Sequence, residues 1–237
     1  MPHDPGEVWF LPPEAEEGGD PKARRHVLLT PCDDVGDIGV FAYASTQPTE
    51  ARFGAACLLV RPDAGRHAST GFTRPTWVYP SRLVPARSES LLRMTGRLLD
   101  EMPQLRLLLH RALGVGTGTA GAGWRGKVVR LSSSRTATIG YEYAIVVTEG
   151  RYSERQRYQI IVPVDDLREF EPGPGDVEVT TGTWFGAIAS ELPGVLVAVP
   201  DVQAVFHPRD IEAWTGAVVD DTTMAKVEAA LRELFGL

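Results

Sequence analysis

The chain of 237 residues is predicted to be mainly β, an α+β protein built from two consecutive copies of one small β-rich module, each closing with a helix. Three observations predict this. Short apolar runs rich in Val, Leu, Ile and Tyr recur between clusters of Gly, Pro, Ser and Asp, the pattern of strands and turns. The order of those runs returns at an offset of about 120 residues, the mark of an internal repeat. Each copy ends in an acid-initiated helical pattern that stops at a glycine.

In chain order, Gly6-Glu7-Val8-Trp9-Phe10 reads as a first strand. Leu11–Ala23 is a polar Pro/Glu/Gly loop, placed to act as a lid, although Glu14, Glu16, Glu17 and Asp20 disfavour an anionic ligand. Two strands follow, His26–Thr30 and Gly39–Ala44, within the stretch RRHVLLTPCDDVGDIGVFAYASTQ. The apolar run Ala55–Val60 is a further strand, and Pro62–Pro75 is loop. Thr76–Leu83 reads as a strand that ends near Pro80 or bulges there, because proline cannot donate to a ladder. Ser88–Leu99 holds a short helical turn and a small strand. Asp100-Glu101-Met102-Pro103 starts a helix that runs to about Leu113 and stops at Gly114.

Gly114–Gly126, GVGTGTAGAGWRG, carries no apolar period and reads as a flexible linker. The predicted domains are therefore residues 1–114 and 126–237, joined by 115–125. In the second copy Gly126-Lys127-Val128-Val129 answers Gly6-Glu7-Val8-Trp9. Tyr143–Thr148 answers Arg25–Thr30, Gln159–Asp165 answers the strand closing at Ser45, and Val195–Phe206 answers Thr76–Ala86. Thr215–Asp221 answers Thr95–Glu101. Met224, Val227, Leu231, Leu234 and Phe235 then form one apolar helical stripe, expected to pack on the sheet, with Thr222 or Asp221 as the cap. Two like modules in one chain predict an intramolecular pseudo-dimer.

Composition excludes several classes. Net charge is −7. Residues 1–120 hold 13 Lys+Arg against 14 Asp+Glu, and the remainder 11 against 17, so this is not a bulk-basic nucleic-acid binder, although local patches still act locally. Two cysteines, Cys32 and Cys57, make no disulfide framework and imply reduced thiols in the cytoplasm. No apolar run has the length of a membrane span, and the N-terminus has no secretory-signal pattern. His3, His67, His110 and His207 show no metal-ligand spacing with one another or with the cysteines, so neither a metal nor a cofactor is expected. Gly121–Lys127, GAGWRGK, mimics a phosphate-binding loop, but Val128 stands where Ser or Thr must follow the lysine, and a strand follows instead of a helix.

The ordered set GEVWF, a Gly-containing loop, RRHVLLTPCDD, VFAYASTQ, TWVYPSRL and TGRLLDEMPQLRLLLHRAL resembles the MazF/PemK toxin family. The likeness covers nearly all of residues 6–114 and recurs more weakly over 126–237. It implies tandem SH3-like, PemK-type barrels, the second degenerate. It also implies a metal-independent, sequence-selective endoribonuclease that cleaves single-stranded RNA through attack by the RNA's own 2′-hydroxyl, with an antitoxin protein as partner. The family's catalytic arginine and hydroxyl match Arg25 and Ser45, and Arg24, Thr46 and Gln47 are the neighbouring candidates for RNA binding. Two positions depart from the pattern. His26 stands where the family usually has proline, and Ser45 where threonine is commoner. In the second copy Tyr143 replaces the arginine and Asp165 falls at or next to the hydroxyl, so that copy is expected to have lost the site.

The chemistry of these residues is consistent with the resemblance. A guanidinium presents a fixed fork of donors to a phosphate and can stabilise a phosphorane. The competing reading of Arg25 is a surface arginine paired with Asp33 or Asp34, and that of Ser45 is a strand-end serine satisfying a turn. His26 titrates near neutrality, but strand alternation turns it away from any site that Arg25 faces. Trp9, Trp77 and Trp184 could stack on bases or fill a core. Arginines between Arg61 and Arg97 are candidates for a strip contacting the RNA backbone. The alternative is a catalytically inactive module of the same superfamily that binds RNA or a protein.

Overall fold

A computed structural model describes residues 2–12, 23–32, 38–48, 56–62, 67–115, 123–149, 158–179, 194–206 and 209–237. The protein is mainly β, with two antiparallel sheets. It divides into two compact units, Met1–Leu109 and His110–Leu237.

In the first unit the strands are β1 (Glu7–Leu11), β2 (Arg24–Leu28), β3 (Ile38–Ser45), β4 (Leu58–Val60), β5 (Thr76–Arg87) and β6 (Arg93–Arg97), arranged β4-β5-β3-β2-β1-β6. A single helical turn, His67–Thr70, and a 3₁₀ turn, Ser88–Ser90, complete it up to helix α1 (Met102–Leu113), within whose last turns the division between the units falls. The helix buries Met102, Leu105, Leu109, Ala112 and Leu113, the spacing of one helical stripe.

Alternation assigns the two faces of the first sheet. Val8, Val27 and Ala42 are paired neighbours on one face and are fully buried. The other face carries Leu11, Leu28 and Phe41, packed with Cys32 and flanked by Trp9, Val84 and Ala86. Strand β5 runs on past Pro80 to Arg87 rather than ending there. The expected irregularity is a bulge: Ala42 pairs with Leu83 but Tyr43 with Tyr79, so Pro80, Ser81 and Arg82 lie outside the register. The proline sits where no ladder bond is required of it.

The second unit comprises β7 (Lys127–Leu131), α2 (Ser133–Ile139), β8 (Tyr143–Val146), β9 (Tyr158–Asp166), β10 (Val177–Val179), β11 (Val195–Val197), β12 (Gln203–Phe206), β13 (Ile211–Val218) and α3 (Asp221–Phe235). Its sheet runs β10-β11-β9-β8-β7-β13, with β12 also pairing β9. One core cluster holds Val129, Leu131, Ala144, Val146, Ile161, Val205 and Ile211. The stripe on α3 is buried at Met224, Val227, Leu231 and Phe235. Its cap is Asp220, whose carboxylate accepts the Thr223 amide at 2.7 Å, one residue earlier than the sequence pattern predicts.

The two units repeat particular hydrogen bonds. Gly6 N–H donates to Leu28 O while Gly6 O accepts Leu98 N–H. Gly126 does the same with Val146 and Val219. Both glycines have positive φ, 96° and 76°, a region that a side chain disfavours. Thr95 Oγ1 donates to Val8 O, and Thr215 Oγ1 to Val128 O. The Gly-rich stretch read as a linker ends in buried residues, Val115 and Arg125, with 116–122 outside the described residues. No described helix is long and apolar enough to cross a membrane.

Candidate functional site

Strand β2 opens at Arg24 and β3 closes at Ser45, and the two strands are antiparallel neighbours. Both ends therefore lie at one rim of the first sheet. Arg24 is exposed, while Arg25 and Ser45 are half-buried. Thr46 and Gln47 follow as exposed residues, in a turn held from two sides. Ser45 Oγ accepts the Gln47 amide at 3.1 Å, and Tyr79 Oη donates to Gln47 O at 3.0 Å. The turn role foreseen for Ser45 is thus occupied. A hydroxyl has one donor and two acceptor sites, so its O–H is still a donor for a phosphate oxygen.

The pairing settles which face each residue takes. His26 pairs with Tyr43. Two residues on from each, Arg24 and Ser45 take the same face. Arg25 takes the other. It pairs with Phe10 and its guanidinium lies over the Phe10 ring, 4.8 Å from the centroid. Arg25 Nε is shielded from solvent without a hydrogen-bond partner among the described residues. The rim therefore brings Arg24, Ser45, Thr46 and Gln47 together, whereas Arg25 lies on the opposite face, over Phe10. Asp33 and Asp34, the carboxylates weighed as partners of Arg25, lie outside the described residues, as do most of the lid loop, Trp184 and His207.

Sequence reasoning missed the centre of this face. Tyr43 is 7% exposed. Arg24 Nη1 donates to its hydroxyl at 2.8 Å, and the Arg82 guanidinium sits 3.9 Å from its ring centroid. The His26 ring meets Tyr43 edge-on at 5.5 Å, and Tyr79 stacks on it at 6.3 Å. Arg82 reaches this position because it belongs to the bulge. The available signal was the arginine two residues beyond Pro80 in TWVYPSRL.

His26 is buried and donates through Nδ1 to Arg24 O at 3.0 Å. Burial, opposed by that hydrogen bond and reinforced by the charges of Arg82 and Arg24, pushes its pKa down to about 4. At neutral pH it is an uncharged, enclosed imidazole and does not shuttle protons. Trp9 is committed to its own unit: its indole donates to Glu7 at 2.9 Å, and Glu7 pairs with Arg97 at 2.8 Å. No described cluster of His, Cys, Asp and Glu has the makings of a metal site.

The equivalent rim of the second unit has the opposite charge. Phe10 pairs with Arg25, and Arg130 with Tyr143, so Tyr143 takes the place of Arg25 and Glu142 that of Arg24. Ser45 pairs with Trp77, and Asp165 with Leu196. Asp201 lies in the interruption between β11 and β12, where β5 carries Arg82. There it accepts the Tyr141 hydroxyl at 2.5 Å. Burial pushes the Asp165 and Asp176 carboxyls up. Glu142 is held by Arg130 at 3.0 Å.

Arg125, inside the phosphate-loop mimic, is 1% exposed. Its guanidinium donates to Leu113 O, Val147 O and Glu228, so the motif serves packing.

No protein-family model matches this chain, and no curated protein matches it. Solved structures do match. One, an endoribonuclease in complex with its cognate antitoxin from a mycobacterial species, is 18% identical and covers 49% of this chain and 97% of its own, with a TM-score of 0.37.

Proposed function

We propose that the first unit is a metal-independent endoribonuclease of toxin type acting on single-stranded RNA, with its site at the rim formed by Arg24, Arg25 and Ser45-Thr46-Gln47. One observation carries this reading: Arg24, opening β2, shares a face with the pinned hydroxyl turn that closes β3, and Arg25 stands at the same end of the sheet on its other face. Arginine forks bind phosphate oxygens, and a fixed cation stabilises the charge that grows on a phosphorane. The RNA's own 2′-hydroxyl attacks the adjacent phosphorus and gives its proton to solvent, while the P–O5′ bond breaks to leave a 2′,3′-cyclic phosphate and a 5′-hydroxyl that takes its proton from solvent, so the protein supplies position and charge. Arg25 stabilises the phosphorane, Ser45 donates to a phosphate oxygen, and Arg24, Thr46 and Gln47 hold the strand.

The second unit is a duplicated barrel of the same kind whose site is lost. The repeated glycine and threonine hydrogen bonds support the duplication. The substitution of Glu142, Tyr143 and Asp165 at the rim supports the loss, because carboxylates repel a phosphodiester. An antitoxin-like partner protein and an intramolecular pseudo-dimer belong to this reading.

One observation favours a second reading. Arg25 and Ser45 take opposite faces of the sheet, with the Arg25 guanidinium over Phe10, which suits a module that binds RNA without cutting it. A single experiment separates the two. A long, unstructured RNA is incubated with the full chain in EDTA and new 5′ ends are mapped, with Arg25→Ala, Arg24→Ala and Ser45→Ala in parallel. Discrete ends that fall by about 10²-fold or more in Arg25→Ala are expected. No ends at concentrations that saturate RNA binding would replace the nuclease by the binding module.

A further inference from the structure

Tyr43 lies where a base-stacking residue would be useful, yet its ring is already covered. The Arg82 guanidinium is 3.9 Å from the centroid, Tyr79 stacks at 6.3 Å, and His26 closes the edge. Its hydroxyl is engaged by Arg24 at 2.8 Å. One side chain thus touches two guanidinium groups: Arg24 chiefly through the hydrogen bond, its guanidinium carbon being as far as 5.9 Å from the ring centroid, and Arg82 through a close cation–π contact at 3.9 Å. These cations come from different strands: Arg24 begins β2, and Arg82 comes from the bulge of β5. Bulges commonly serve to re-aim a side chain.

Two guanidinium groups on one ring present two forks of donors suited to phosphate oxygens. Both charges also bear on His26, which stays neutral beneath them. In the second unit Pro163 pairs with Ala144 as Tyr43 pairs with His26. The arginines are replaced there by Glu142 and Asp201, so the ring and both cations are absent together.

We propose that Tyr43 is a positioning residue that holds Arg24 and Arg82 as a prearranged pair binding the phosphates of a single-stranded RNA backbone, which singles out Arg82 among the arginines between Arg61 and Arg97 as a member of the binding face. The inference rests on the RNA reading above but not on cleavage. Arg24 is set by the phenol hydroxyl, whereas Arg82 is set by the ring. Removing the hydroxyl alone therefore releases one cation and leaves the other in place.

The test is fluorescence anisotropy of a labelled 20-nucleotide oligouridylate with the full chain over a series of salt concentrations. The variants are Tyr43→Phe, Arg24→Gln, Arg82→Gln and the double variant Tyr43→Phe/Arg24→Gln, each with a thermal melt to verify folding. Arg24→Gln and Arg82→Gln are each expected to weaken binding by about 3–30-fold and to lower the salt slope by roughly 0.7, the value for one phosphate contact on a single strand. Tyr43→Phe should weaken binding several-fold when Arg24 is present and have no effect in the Arg24→Gln background. A purely structural tyrosine would weaken both backgrounds equally. Equal effects in both backgrounds, or an Arg82→Gln salt slope equal to wild type, would overturn the proposal. Binding that follows this pattern without any cleavage would sustain it and remove the nuclease. No binding by the wild-type chain would remove both.

Discussion

Thr30 Oγ1 accepts the backbone amide of Val40 at 3.0 Å, and both residues are fully buried. In the second unit Thr148 accepts the Ile160 amide in the same way at 2.6 Å. Each threonine follows the strand that begins at Arg24 or Tyr143, and each receives the amide of the next strand where a ladder bond would otherwise end. A buried amide without an acceptor costs about 1–3 kcal/mol. Thr30→Val keeps the shape and removes the oxygen, so we expect a loss of that size and faster hydrogen exchange at Val40. Thr148→Val should do the same at Ile160. Unchanged exchange at both amides would mean that another acceptor takes over.

Arg125 supports a second prediction. Its charge is 1% exposed and is met by Glu228, which is 13% exposed, while the Leu113 and Val147 carbonyls both accept from Nη1 and Nε has no partner among the described residues. Removing one partner of a buried pair strands the other and typically costs about 3–5 kcal/mol. Arg125→Ala should lower the denaturant midpoint of the second unit by an amount of that order. Glu228→Gln retains an acceptor and should cost less. Equal midpoints for wild type and Arg125→Ala would show that the guanidinium contributes nothing net.

Much of this architecture was legible because strand alternation and helical periodicity are strong signals. The pairs Arg25/Tyr143 and Ser45/Asp165, aligned from sequence, occupy equivalent ladder positions. The stripe on α3 was visible for the same reason. Helix α2 was not. It buries no residue, so it has no apolar period, and only its Ser132 cap and Gly140 stop mark it. Arg125 was hidden because a guanidinium's burial depends on carbonyls from distant elements. The Tyr43–Arg82 contact was hidden because it depends on a bulge whose length sequence alone does not give. Adjacent arginines in a strand alternate faces, but only the pairing shows that Arg24 is the one that shares the face of Ser45.

His26 yields a prediction about pH. Its pKa in the folded chain is pushed down to about 4, against an ordinary value of 6.5. Above pH 6.5 both folded and unfolded chains carry a neutral imidazole, and its contribution does not change with pH. As pH falls from 6.5 to 4 the unfolded chain takes up a proton that the folded chain refuses, so stability falls. Below 4 the folded chain is protonated too and the loss levels off, at about 3 kcal/mol. Urea melts at pH 7 and pH 4.5 should show this fall in the wild type, and His26→Phe should reduce it. A wild-type midpoint independent of pH across that window would contradict an enclosed neutral imidazole.

The exchange of Ser45 for Asp165 between the two rims can be imposed on the first unit. Ser45 is half-buried beside Arg24, with its Oγ already accepting the Gln47 amide. Aspartate can accept the amide two residues on through a carboxylate oxygen, as Asp166 accepts the Arg168 amide at 2.9 Å, so the turn should survive the substitution. What changes is charge. A carboxylate at the rim repels a phosphate and draws Arg24 toward itself, each effect amounting to about 1 kcal/mol at this exposure. Ser45→Asp should therefore weaken oligouridylate binding by about tenfold or more. Ser45→Asn, which keeps an acceptor without the charge, should stay within about threefold of wild type. The gap between the two variants should narrow as salt rises, because exposed charges are screened. Equal affinities for Ser45→Asp and Ser45→Asn at low salt would place the RNA away from this rim, and the hydroxyl turn would then serve only to close β3.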